Sequence, residues 1–159
     1  MKICCFIGHR KINFTDELHE KLVKTIESLI EKGVKTFLFG SRSQFNDFCL
    51  GVVTDLKAKY PSIKRVYVRA DSEYIDTDYE NYLLNQYEKT YFAQSAHDAG
   101  KLVYIKRNQE MIDKSDVCIF YYDKADGLSE KGQKTSGTKQ AFEYAVKRKK
   151  EVVNVFKTE

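Results

Sequence analysis

The chain has 159 residues, of which 42% are hydrophobic and 31% are charged. This balance is typical of one globular domain with a single core, and it excludes a disordered chain. The net charge of +4 is modest. No apolar run approaches the roughly 18 residues of a membrane span and no signal peptide is recognisable before Lys2, so we expect a cytoplasmic protein.

Six short runs rich in Val, Ile, Phe, Tyr or Cys predict buried strands. These runs are residues 2–7, 34–39, 63–69, 101–105, 117–122 and 151–156. Apolar residues recur at helical spacing from Leu18 to Ile30, behind an N-cap at Asn13 or Thr15, and again from Phe45 to Leu56. Further helical patterns cover about 78–96, Asn108–Lys114 and about 137–149.

Strands that alternate with helices and are apolar along their whole length indicate a parallel sheet covered on both faces. Right-handed crossovers then give an α/β fold, a single Rossmann-like doubly wound domain over residues 1–159 with a mainly parallel central sheet. Ligands of such folds bind outside the carboxyl ends of the strands. We therefore expect the ligand-binding residues to follow the carboxyl ends of the predicted strands.

Three turns combine a glycine with small polar or basic residues beside a predicted helix. They are Gly8-His9-Arg10, Gly40-Ser41-Arg42 and Ser136-Gly137-Thr138. Such turns direct backbone N–H groups and the positive end of a helix at one point, which suits a phosphate. Arginine adds a planar cation that binds phosphate through two parallel hydrogen bonds. We therefore expect a phosphorylated small molecule as ligand.

Three more polar residues fall at the same predicted edge of the sheet. Arg107 and Asn108 follow the predicted fourth strand, and Asp123 follows the fifth. Simpler structural roles remain open for several candidates: the glycines as turns, His9 as a packed turn residue, and Asp116 as a turn cap. The G-x-G-x-x-G fingerprint and the Walker lysine pattern are both absent from the sequence.

Cysteine and basic-residue patterns predict no further site. Four cysteines without a C-x-x-C pair, two of them adjacent in a strand at Cys4 and Cys5, indicate buried reduced thiols, and we expect no metal and no cofactor. The basic run 147–150 ends the last predicted helix, where cations complement the helix dipole. Because no aromatic residues are interleaved with this run, we do not expect a nucleic-acid partner.

A tyrosine-rich, acidic segment allows two interpretations. Its rings either stack on a base at the mouth of the site or pack against the sheet or a second subunit, and we favour packing, with a homodimer as its most useful form. The tyrosines are Tyr74, Tyr79, Tyr82, Tyr87 and Tyr91. The polar segment 123–135 is either a mobile flap over the ligand or an ordinary loop.

Three segments resemble the YpsA-type branch of the SLOG superfamily, which also contains the LOG cytokinin-activating enzymes and DprA-like proteins. They read CCFIGHR, RNQEMIDKSDVCIFYYD and SGTKQAFEYAVKRKKEVVNVF. The resemblance implies a Rossmann-like fold that binds nucleotides or nucleotide-derived ligands.

The resemblance also bears on catalysis. Arg107 and Met111 match an Arg–Met pair of the LOG phosphoribohydrolases, but Gln140 and Ala141 stand where that family has acidic residues. Glutamine cannot transfer a proton near neutral pH. Glu143 lies two positions further on, which turns it to another face of the helix.

Three functions follow from these observations. The first is a nucleotide-binding or sensing protein of the SLOG superfamily. The second is an N-glycoside hydrolase acting on nucleoside monophosphates, with Arg107 and an unorthodox acid at Glu143 or Asp123. The third is a protein-interaction module with a vestigial pocket. The missing carboxylate favours binding over catalysis.

Overall fold

The computed structural model describes residues 2–125 and 137–157. Residues 126–135, most of the polar segment interpreted as a flap or an ordinary loop, and the predicted ligand residue Ser136 lie outside these ranges. Among the described residues, no helix is long and apolar enough to cross a membrane.

The described residues form a parallel six-stranded sheet flanked by helices. The strands are β1 (Ile3–Gly8), β2 (Thr36–Phe39), β3 (Lys64–Arg69), β4 (Lys89–Phe92), β5 (Val117–Tyr121) and β6 (Glu151–Asn154). The helices are α1 (Asp16–Glu31), α2 (Gln44–Lys57), α3 (Thr77–Leu84), α4 (Val103–Lys114) and α5 (Gly137–Lys147). The strand order is β4-β3-β2-β1-β5-β6 and every neighbouring pair is parallel. The predicted α/β, Rossmann-like fold class is therefore confirmed.

Side chains alternate between the two faces of the sheet and build two cores. Cys4 and Phe6 of β1 pack with α1 and α2, whereas Cys5 and Ile7 pack with α4 and α5. This alternation is the period-2 geometry of a strand. All four cysteines are buried and free, and no cluster of metal-binding side chains occurs in residues 2–125 or 137–157.

Side-chain caps fix where the first two helices begin. Thr15, one of the two N-caps that the sequence allowed, accepts a hydrogen bond from the backbone N–H of Leu18 at 3.0 Å and starts α1. Ser43 accepts from the N–H of Asn46 at 3.0 Å and starts α2. Each hydroxyl satisfies one of the unpaired N–H groups of a first turn.

Asp116 also has a structural role. Its Oδ2 accepts hydrogen bonds from the backbone N–H groups of Lys2 at 2.8 Å and Ile3 at 3.0 Å, and these bonds lower the pKa of Asp116. The carboxylate therefore joins the start of β1 to the residue before β5.

One predicted strand is wrong. Residues 101–105 belong to a 3-10 turn at Gly100–Leu102 and to the first turn of α4. The missing strand is β4, which lies inside the predicted helix 78–96. The run KLVYI has strand-like composition, but Leu102 and Tyr104 are about half exposed, so it does not form a buried strand. β4 is a four-residue edge strand whose sequence KTYF contains no β-branched aliphatic residue, and its sequence signal is correspondingly weak.

Candidate functional site

A cavity of about 370 Å³ lies at the carboxyl edge of the sheet, and we call it the arginine pocket. It is lined by the ends of β1 and β3, by the residues after β2, by α4 and by the N-terminal residues of α5. Its polar lining residues are Arg10, Ser41, Arg42, Ser43, Tyr67, Asp71, Tyr104, Arg107, Asn108 and Thr138. The cavity therefore lies beside β1, where the chain order of the strands reverses and such folds hold ligands.

Arg107 is the buried cation of this pocket, with only 5% of its surface exposed. Its Nη1 donates to the carbonyl oxygen of Gly40, and its Nε donates to Asn108 Oδ1 at 3.0 Å. Burial lowers the pKa of Arg107 from its ordinary value, but a guanidinium remains protonated at neutral pH. Within residues 2–125 and 137–157, Arg107 has no ion-pair partner and its Nη2 makes no hydrogen bond. One nitrogen of a fixed cation is thus left for a ligand.

Gly40 is needed because Arg107 approaches its backbone closely. A Cβ atom at Gly40 would lie 2.6 Å from Met111 Sδ and 2.7 Å from Arg107 Cδ. Both distances are well below van der Waals contact. The glycine of the second predicted turn therefore serves the placement of Arg107.

Gln44 joins the loop after β1 to the start of α2. Its backbone N–H donates to the carbonyl oxygen of Arg10 at 2.8 Å, and its Oε1 accepts from the N–H of Ile12 at 2.9 Å. These two bonds hold the backbone around Arg10 against α2. The Arg10 side chain itself is exposed, lines the arginine pocket and has no ion-pair partner among the described residues.

A second cavity of about 380 Å³ adjoins the first, and we call it the tyrosine pocket. Ser41, Arg42 and Tyr67 line both cavities. The remaining lining residues are Asn46, Asp47, Tyr79, Tyr82, Leu83, Gln86 and Tyr87. Arg42 donates to Tyr79 Oη at 3.2 Å, and this bond raises the pKa of Arg42 from its ordinary value.

The structure brings nine of the twelve predicted ligand residues to the arginine pocket. They are Gly8, Arg10, Gly40, Ser41, Arg42, Arg107, Asn108, Gly137 and Thr138. The sequence predicted that Arg107 and Asn108 follow a strand, but both residues lie in α4 and reach the pocket from that helix.

His9 and Asp123 contact each other beside β1 and β5 and do not line the pocket. His9 Nε2 accepts a hydrogen bond from the backbone N–H of Asp123 at 2.9 Å, and Asp123 Oδ1 accepts from the N–H of Ala125. This arrangement matches the packed-turn interpretation of His9.

Sequence reasoning missed Asp71, Tyr67 and Tyr104 as lining residues. Asp71 follows β3, so its position beyond a strand end could have identified it. Arg69 supports its loop by donating to the carbonyl oxygens of Ser72 and Glu73. Tyr104 was hidden because its segment was predicted as a strand.

The charges at the arginine pocket favour an anion. Arg10, Arg42 and Arg107 line it, and Asp71 is the one carboxylate among its described lining residues. The acids considered for hydrolysis lie elsewhere, because Glu143 is exposed on α5 and lines none of the described cavities. Gln140 and Ala141 line a separate, much smaller cavity.

Comparison with known families identifies the fold lineage. The model for the YpsA family, described as the YspA SLOG family, matches residues 7–157. The chain belongs to the YpsA family of SLOG proteins. The resemblance stated from the three sequence segments is thereby confirmed. No curated protein matches this YpsA-family chain.

Among solved structures, DNA processing protein A (DprA) from Helicobacter pylori is similar, with a TM-score of 0.60 and 14% sequence identity. The match covers 94% of the YpsA-family chain and 63% of the DprA chain, so the chain spans less than two thirds of that protein. At this identity the similarity shows a shared fold. The DprA structure is described as revealing a single-stranded DNA binding mode. Our expectation that nucleic acid is not a partner is therefore wrong as a general inference, because this fold also occurs in a DNA-binding protein.

Proposed function

We propose that the protein binds a nucleotide or a nucleotide-derived ligand, with the ligand's phosphate in the arginine pocket. One observation carries the proposal: three arginines border one cavity at the carboxyl edge of the sheet, against a single described carboxylate. A guanidinium binds phosphate through parallel, charge-assisted hydrogen bonds. The cavity volume also lies within the range of small-molecule sites.

The three arginines have different parts in this proposal. Arg107 presents Nη2 from a fixed, buried position, whereas Arg10 and Arg42 approach from the solvent side. Gly137 and Thr138, at the start of α5, add the positive end of a helix dipole. Asp71 lines the same cavity, and its carboxylate would accept a hydrogen bond from a ribose hydroxyl. A cytoplasmic location stays a prediction from the sequence.

Binding is preferred to hydrolysis because the LOG-type acid is not matched. Ala141 and Gln140 occupy the positions of the acidic residues, and the exposed Glu143 does not line the arginine pocket. General acid catalysis needs a carboxyl group within hydrogen-bond reach of the leaving group. Hydrolysis would be supported only by the appearance of free base in the binding experiment described next.

Arg10→Ala tests the proposal, with Lys11→Ala as the matched control. Both side chains are exposed cations, but only Arg10 lines the pocket. Affinities for adenosine, guanosine, cytidine and uridine 5′-monophosphates are measured by calorimetry, and mass spectrometry checks each mixture for free base. We expect Arg10→Ala to weaken binding about tenfold, because it removes a charge-assisted hydrogen bond, and Lys11→Ala to leave it unchanged.

Two results would contradict the proposal. Equal affinities for Arg10→Ala and the parent protein would refute the phosphate site. If the parent protein releases free base at nucleotide concentrations near its dissociation constant, the hydrolase hypothesis replaces the binding function.

A further inference from the structure

The tyrosine pocket has the composition of an aromatic-ring site. Tyr67, Tyr79, Tyr82 and Tyr87 line it, and the rings of Tyr79 and Tyr82 are nearly parallel, at 13°. Flat aromatic surfaces of this kind stack on nucleobases, since every base has a π-face. The sequence pattern of this tyrosine-rich segment favours packing, but three of its rings, Tyr79, Tyr82 and Tyr87, line a cavity.

One buried polar atom in this pocket has no partner. Asn46 is only 2% exposed, and its Oδ1 is the one buried side-chain nitrogen or oxygen in residues 2–125 and 137–157 without a hydrogen bond. Its Nδ2 donates to Tyr87 Oη at 3.3 Å. An unpaired buried acceptor is costly, so an arriving N–H donor gains more there than on the surface. The last side-chain torsion of asparagine is soft, and it lets the amide turn without backbone movement.

We propose that the tyrosine pocket binds the base of the ligand and, through Asn46 Oδ1, selects bases that carry an exocyclic amino group. This inference rests on the proposed function, because the phosphate of the same ligand occupies the arginine pocket. Ser41 and Arg42 line both cavities, so a base in one and a phosphate in the other fit a single nucleotide. Adenine, cytosine and guanine carry the amino group; uracil, thymine and hypoxanthine do not.

Adenosine and purine riboside 5′-monophosphates form the first test, because their bases differ only in the exocyclic amino group, and replacing that group by hydrogen adds no new N–H donor. The parent protein is expected to bind the adenosine compound about tenfold more tightly. In Asn46→Ala this ratio is expected to fall close to one. Since both ligands are measured on the same variant, a general loss of stability does not affect the ratio.

Tyr82→Ala tests the stacking surface, with Tyr74→Ala as its matched control. Tyr82 is 60% exposed and Tyr74 is 88% exposed, so neither substitution disturbs a core, but only Tyr82 lines the pocket. Adenosine 5′-monophosphate is expected to bind about tenfold more weakly to Tyr82→Ala. Its binding to Tyr74→Ala, and ribose 5-phosphate binding to both variants, are expected to stay unchanged.

Two partial ligands separate the two sites. Adenosine lacks the phosphate and probes the tyrosine pocket alone, through shifts of the tyrosine ring signals in NMR spectra. Ribose 5-phosphate lacks the base and probes the arginine pocket alone. If Arg10→Ala weakens nucleotide binding while the Asn46 and Tyr82 variants do not, the base site is refuted and the phosphate site stands. If adenosine binds and ribose 5-phosphate does not, the phosphate site is refuted.

A nucleotide with an amino-bearing base occurs free and at the end of single-stranded DNA. A short 5′-phosphorylated oligodeoxyadenylate is therefore titrated beside adenosine 5′-monophosphate. Tighter binding of the oligonucleotide, lost in Tyr82→Ala, assigns the site to a strand end. Equal or weaker binding assigns it to a free nucleotide. Failure of both to bind the parent protein overturns the inference together with the proposed function.

Discussion

Gly40→Ala is expected to displace Arg107 while leaving the backbone conformation allowed. Gly40 does not lie in the left-handed region, so alanine is not strained there by its φ angle. The new Cβ would meet Arg107 Cδ at 2.7 Å and Met111 Sδ at 2.6 Å. Comfortable carbon contacts are about 3.5 Å or longer, so the arginine side chain has to move by about 0.8 Å.

This movement affects both stability and the proposed site. Overpacking of this kind lowers the free energy of unfolding by about 1–3 kcal/mol, and each kcal/mol lowers Tm by about 2–4 °C in a chain of this size. The guanidinium that donates to the Gly40 carbonyl moves with Cδ. Nucleotide affinity is therefore expected to fall at least tenfold, a loss at least as large as the one expected for Arg10→Ala.

The assay is urea denaturation followed by circular dichroism, together with calorimetric titration of a nucleotide. Gly51→Ala is the matched control, because Gly51 lies within α2 and its Cβ would meet nothing within 4 Å. This control is expected to gain about 0.5–1 kcal/mol, since alanine is the better helix former. A Gly40→Ala protein as stable as the parent, with unchanged affinity, would refute the close-packing argument.

Two further predictions concern the frame of the site. Gly8→Ala places Cβ 2.5 Å from Cγ of the fully buried Phe45. Urea titration is expected to show that the free energy of unfolding falls by about 3 kcal/mol. This loss is larger than that of Gly40→Ala, because a buried aromatic ring moves aside less easily than the flexible side chains of arginine and methionine. A loss below that of Gly40→Ala contradicts this reasoning. Two backbone hydrogen bonds lower the pKa of Asp116 in the folded protein. Its carboxylate therefore stabilises the fold fully when the pH is above about 3.9, the pKa of an aspartate in the unfolded chain. This contribution disappears as the pH falls through the lower pKa of the folded state. Asp116→Asn is therefore expected to cost about 1 kcal/mol at pH 7 and progressively less below about pH 4 in the same denaturation assay; a pH-independent difference would show that the charge is not involved.

The sequence predicts the fold well where strands are buried on both faces. Five of the predicted strands correspond to β1, β2, β3, β5 and β6. The first four lie inside the sheet, which continuous apolar runs mark, whereas β6 is an edge strand of intermediate burial that its valines still identify. The exchange of β4 for residues 101–105 shows the limit of that signal. Composition favours a strand in the run KLVYI, but Met111 and Ile112 anchor its continuation in the core as a helix. Tertiary packing decides such a segment, and local propensity does not.

The candidate site is predictable where it depends on strand ends. Arg10, Gly40 and Arg42 follow β1 and β2 directly, so topology alone brings them together. Arg107 reaches the same pocket by a different route, since it projects from α4 onto the Gly40 carbonyl. Asn46 gave no sequence signal, because only the three-dimensional hydrogen-bond pattern shows that its Oδ1 has no partner.

The two hydrogen bonds of Gln44 have a thermodynamic consequence for recognition. They hold the Arg10 backbone against α2 by contacts within the chain itself, so the position of this part of the site does not depend on contacts with a ligand. Ordering a loop on association consumes part of the interaction energy, and a loop that is already ordered avoids that loss. If an anion binds in the arginine pocket as proposed, selectivity there depends on how well it fits a preorganised surface, because a poorly matched anion would have to break these two bonds to reshape the edge.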